Sequence, residues 1–107
     1  MAKRTKLPGA YTWLMEEYPK VGKAYEGLGE AVHAAGPLDD RTRALVKLSI
    51  SIGARLEGAV HSHARKALEA GVPPEEILHA ALLAMPTVGL PSTVAALSWV
   101  RDVIEKG

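Results

Sequence analysis

The 107-residue chain contains no cysteine and no phenylalanine. Without cysteine, disulfides, zinc–thiolate sites, iron–sulfur clusters and thiol catalysis are all excluded. Without phenylalanine, and with only two tryptophans and three tyrosines, the interior has to be filled by small aliphatic side chains. Charge of one sign is also scarce. The formal net charge is +1, which points to no nucleic acid or other strongly electrostatic partner. Lys3, Arg4 and Lys6 make a short basic start that reads as a solvated terminus. No apolar run approaches the roughly 20 residues that span a bilayer, and the first residues lack the apolar stretch of a secretion signal. The expectation is a cytoplasmic protein with no membrane partner.

Length predicts one domain over 1–107, with 1–9 loose. A chain of this size buries roughly 65% of its unfolded surface, so its core is thin. Alanine, glycine and leucine are abundant, and a thin alanine-rich core points toward subunit contacts that add burial.

The period-2 alternation of strands is missing and helical spacing recurs almost throughout, which predicts an all-α protein of about six helices. Ala10–Tyr18 reads as a short aromatic helix. Pro19 suits the first turn of a second helix running to about Ala35, with Val21, Ala24, Tyr25, Leu28, Ala31 and Val32 apolar. Gly36-Pro37 stops it. Asp39 or Asp40 caps a third helix, in which Leu45, Val46, Leu48, Ile50 and Ile52 nearly encircle the axis, the pattern of a central buried helix. Arg43, Lys47 and Ser51 form its one polar stripe. A fourth helix runs from Leu56 to Ala70 and stops at Gly71. Pro74 opens a fifth, with Glu75 and Glu76 beside the positive end of its dipole. Pro86 to Pro91 breaks the chain, and a final helix spans Ser92 to about Ile104.

The fourth helix carries His61 and His63. Positions two apart on a helix point roughly 200° away from each other, so the two rings cannot converge on one ligand. Leu56, Val60, His63, Ala67 and Ala70 share a stripe, which turns His63 inward. Glu57, His61 and Arg65 share a polar one. His63 is then either a core histidine bonded to a backbone carbonyl or an acid/base group in a pocket. His61 is a surface neighbour of Glu57 and Arg65, or an assistant to His63. A metal site would need one of these rings joined by His79, His33 or Glu57, and no HExxH pattern is present, so no metal is expected. No motif asks for a cofactor, and none is expected. Lys47 either snorkels to solvent or lines a pocket with Arg43 and Ser51.

From Leu38 to about Val100 the chain resembles the carboxymuconolactone decarboxylase family, which includes the alkylhydroperoxidase-D-like proteins. The matching features are the LDDRTR start, the apolar third helix, His63, Ala67 and Gly71 in an HxxxAxxxG phrase, and the PEEI turn. The resemblance implies a helical bundle that assembles as a trimer or hexamer, with a pocket near a subunit interface against the third and fourth helices. It also shows what is absent. The peroxidase branch places two cysteines where this chain has Leu56 and Ala59, and a glutamate where it has Ala44. The decarboxylase branch has a glutamate where this chain has Ala59. Of the reactive positions only His63 remains. Thiol peroxidase activity is therefore not expected, nor is redox chemistry that borrows thiols from a partner. The resemblance instead suggests a protein that binds a small molecule in a pocket near His63. The alternative is a decarboxylase- or isomerase-type enzyme on a small carboxylated or lactone substrate. There His63 would move the proton, assisted by His61, while Lys47 or Arg43 held the carboxylate.

Overall fold

The computed structural model describes residues 9–106; of the segment expected to be loose, only Gly9 lies within them. Among the described residues the chain is all-α. There are six helices of eight residues or more, one of four, and no strand. None is long and apolar enough to cross a membrane. The chain divides into two compact units, which part between Pro37 and Leu38.

The first unit is a helical hairpin, α1 (Ala10–Glu17) and α2 (Pro19–Ala34). Pro19 opens α2, where its missing N–H and fixed φ cost nothing. Tyr11 of α1 meets Tyr25 of α2 edge to face, with ring centroids 6.3 Å apart. Gly22 is buried where the helices are closest, and a Cβ there would run into the Met15 thioether.

The second unit contains α3 (Asp40–Gly53), α4 (Glu57–Glu69), α5 (Pro74–Leu82), the short α6 (Met85–Val88) and α7 (Leu90–Lys106). Asp39 is the N-cap of α3, its Oδ1 accepting from the Thr42 N–H at 2.8 Å. Arg55 turns the chain from α3 into α4 in the left-handed region, at φ 61. Its guanidinium donates to the Ser92 hydroxyl of α7 at 2.9 Å. At the end of α4, the Gly71 N–H bonds to Leu68 O and the Val72 N–H to Ala67 O. This pattern needs a left-handed residue after the cap, and Gly71 supplies it at φ 90. Buried Val72 then seals that end. Arg41, in the LDDRTR segment, forms an ion pair with Glu76 in the PEEI turn and so ties the starts of α3 and α5 together.

The break expected over Pro86 to Pro91 is confined to Gly89, at φ 93. Both prolines sit in first turns, of α6 and α7, where a proline is compatible with helix. The last helix therefore starts two residues earlier than the sequence suggests.

α4 packs against both α3 and α7, and α5 packs across α7. The core comprises Leu48 and Ile52 from α3, Val60, Ala64 and Ala67 from α4, Val72, Ile77 and Ala81 around α5, and Ala96, Val100 and Val103 from α7. Three of these are fully buried alanines on α4 and α5. They let neighbouring backbones approach closely in a core that has no phenylalanine.

The third helix is not buried all round. Leu48, Ser51 and Ile52 are buried, whereas Val46 and Ile50 are exposed. The apolar ring read from the sequence is real, but only one side of it meets α4 and α5. The other edges an apolar groove of about 590 Å³ shared with Leu83, Thr87 and Val88 of the α5–α6 region.

Candidate functional site

The buried stripe of α4 is Val60, Ala64 and Ala67. Ala64 therefore takes the central place that sequence spacing assigns to His63. Leu56, also expected inside, is half exposed. The physical reason is that α4 is flanked by two helices rather than laid on one surface, so its buried stripe points between α3 and α7. At about 100° per residue, His61 and His63 then fall on opposite flanks of that stripe. Both are half-buried. The expectation of one ring in and one ring out gives way to two rings on two different seams.

On the α7 side, His61 Nε2 lies 3.0 Å from Asp102 Oδ2. The two residues are 41 positions apart in the chain. The imidazole is 26% exposed and the carboxylate 52%. A carboxylate oxygen accepts, so Nε2 is the nitrogen that donates, and the neutral ring keeps its lone pair on Nδ1. The pair borders an open cleft of about 390 Å³ along the α4/α7 seam. Leu68 and Val103 give the cleft its apolar surface, and Arg65, Glu69 and Lys106 bring charge to it. His61, Arg65 and Glu69 recur every four residues on α4, and Asp102 and Lys106 are likewise four apart on α7. Each helix thus presents one polar edge to the same seam.

On the α3 side, Lys47 is half-buried. Burial, then the nearby Lys66 and Arg43 cations, push its ammonium below the ordinary lysine value. Lys66 lies one turn beyond His63 on the same flank of α4, so that flank and the polar stripe of α3 face each other. The stripe divides its labour. Ser51 is buried and returns its hydroxyl to Lys47 O at 2.9 Å. Arg43 donates to Leu38 O at 3.0 Å and to Asp40 Oδ1, which holds the entry to α3. Of the four residues singled out from the sequence, Arg43 and Lys47 share the polar stripe of α3, His63 is on the flank of α4 away from His61, and His61 pairs with Asp102 of α7.

Among the described residues no group of three or more His, Cys, Asp or Glu side chains is arranged to hold a metal ion. His61 finds its polar partner in Asp102, not in Glu57 or any third ligand.

Asp102, Glu69 and Lys106 are absent from the site read in the sequence. Arg65 is present there only as a surface neighbour of His61. Local pattern finds residues that share a helix turn; Asp102 reaches His61 through helix pairing, which no periodicity encodes.

An uncharacterized protein of Haemophilus influenzae is 37% identical over 54 residues, covering 50% of this chain. The matched segment is 48% of that relative, so the chain spans about half the length of the curated relative it matches. No solved structure matches. The family model described as the carboxymuconolactone decarboxylase family matches residues 19–102, most of the chain, from α2 into α7. The chain, which has none of the cysteines of the family's peroxidase branch, belongs to the carboxymuconolactone decarboxylase family.

Proposed function

We propose that this protein is a family member without thiol peroxidase activity that binds a small carboxylate-bearing molecule at the α3/α4 seam near His63. The observation that carries the reading is Lys47. Burial and the Lys66 and Arg43 cations lower Lys47 below the ordinary lysine value, which marks a locally positive stretch of the seam where an anionic group is favoured. His63 on the facing flank adds a group able to donate or accept a hydrogen bond to the same ligand. Peroxide reduction by the family's thiol route needs a thiolate, and the chain has none. Thermal unfolding in the presence of a panel of small carboxylates tests the proposal. At least one should raise the melting temperature of the wild type and lose that effect in Lys47→Met. A panel that stabilises both proteins equally, or neither, would reject it.

A second reading is an acid/base enzyme of the decarboxylase or isomerase type, with His63 moving the proton and Lys47 or Arg43 holding the carboxylate. It is favoured by the half-buried state of His63, which leaves the ring neither packed away nor fully solvated. Removal of a general acid/base group lowers a rate by about 10²–10⁴-fold. His63→Ala should do so on a lactone or carboxylated substrate that the wild type turns over. Equal rates in the two proteins would sink the role.

We also infer that the protein is a homo-oligomer, a trimer or a hexamer. Support comes from the apolar side chains left at the surface: Val21, Tyr25, Leu28 and Val32 along one stripe of α2, and Val46, Ile50 and Leu83 beside the apolar groove.

A further inference from the structure

The α4/α7 cleft is built from residues that the reading at His63 does not use. We propose that it is a second, independent small-molecule site, which takes a short organic carboxylate with an apolar body and positions it against His61.

The geometry selects the ligand. The cleft volume of about 390 Å³ falls in the range of clefts that hold small molecules, roughly 300–1,000 Å³. Leu68 and Val103 offer apolar contact for a ring or short hydrocarbon chain. The charges then decide the polar end. Asp102 is paired with His61, and Arg101 is paired with Glu105 on the same helix. Arg65 and Lys106 face the cleft together with Glu69 and Asp102, so the cleft is charge-balanced while His61 is neutral, and Arg65 is the group that selects an anionic ligand. Arg65 can bind a carboxylate with two parallel N–H donors.

Asp102 is a positioning residue here. By accepting from Nε2 it fixes the ring orientation, so that the imidazole forms a constant wall of the cleft while the ligand's carboxylate accepts from Arg65. His61 is the group that touches the ligand. Nothing in this arrangement involves His63, which lies on the opposite flank of α4.

The test follows the histidine ring nitrogens by long-range ¹H–¹⁵N NMR, with benzoate and its neutral counterpart benzamide as probes, at a pH where the rings are neutral. His61 should be found with its proton on Nε2, and Asp102→Asn should mix the two tautomers without unfolding the protein. Benzoate should shift the His61 signals at about tenfold lower concentration than benzamide, the gain from charge-assisted hydrogen bonds. Arg65→Gln should remove that advantage. His63→Ala should leave the response of His61 intact, which separates this site from the one at the α3/α4 seam. An Nδ1-protonated His61, a benzamide response equal to that of benzoate, no response to either probe, or loss of the response in His63→Ala would each overturn the proposal.

Discussion

Lys47 and Asp39, in the middle of α3 and at its cap, are moved below their ordinary pKa values by different causes and affect stability in opposite ways. For Lys47 the causes are burial and then the Lys66 and Arg43 cations. The unfolded chain binds this proton more tightly than the folded one, so the contribution to stability rises with pH between the lowered value and the ordinary one. Lys47→Met should therefore be more stable than wild type at neutral pH, and the advantage should shrink as the pH rises through that window. A melting-temperature difference that stays constant from pH 7 into the lysine range would contradict this. For Asp39 the Thr42 hydrogen bonds come first, with Arg41 and Arg43 adding to them. A depressed carboxylate stabilises above its unfolded pKa and loses that contribution as pH falls through the folded value. Asp39→Asn keeps an acceptor for the Thr42 N–H but cannot ionise. Its deficit against wild type should be steady at neutral pH and close on acidification, as thermal unfolding at a series of pH values would show.

At the scale of the element, α4 decides the most. Its two seams require a narrow buried stripe, and Val60, Ala64 and Ala67 provide one with no exposed area. Ala64→Leu should overpack the seams and destabilise by about 1–3 kcal/mol. It should also broaden the NMR signals of His61 by displacing α7 from Asp102's hydrogen bond. Denaturant unfolding together with those signals checks both parts; a variant as stable as wild type with an unchanged His61–Asp102 bond would show that the seam is looser than described. The end of α4 was legible from Gly71 because a left-handed residue after a helix cap favours glycine. The face of α4 was not legible, because Leu56, His63 and Ala70 fit a stripe almost as well as Ala64 does, and only the placement of α3 and α7 chooses between them.

At the scale of the whole molecule, exposed apolar surface is the prominent feature. Tyr25, Leu28 and Val32 of α2 are each more than half exposed, as are Ile50 and Leu83 of the second unit. Light scattering at micromolar concentration should give a mass about three or six times that of the chain, following the assembly proposed above. Replacing Ile50 and Leu83 together with Lys, both at the surface and outside the core, should lower that mass while preserving the helical circular dichroism. A monomeric wild type would reject the assembly. The sequence indicated this surface only indirectly. It showed an apolar ring on α3, read as complete burial, whereas the single chain covers one side.

What the residues determined by themselves was local: helix limits at Asp39 or Asp40, Gly71 and Pro74, an all-α class from the missing period-2 alternation, and the loss of thiol chemistry from the absence of cysteine. Each depends on the chemistry of a residue and its immediate neighbours, so linear spacing suffices. What only the tertiary structure decided was which side chains meet. Packing α4 between α3 and α7 placed Lys47 among cations, gave His61 a carboxylate from 41 residues away, and sent the two histidines to separate seams. Those encounters arise from the angle at which whole helices dock, which is set by the sum of many small apolar contacts rather than by any residue pair visible along the chain.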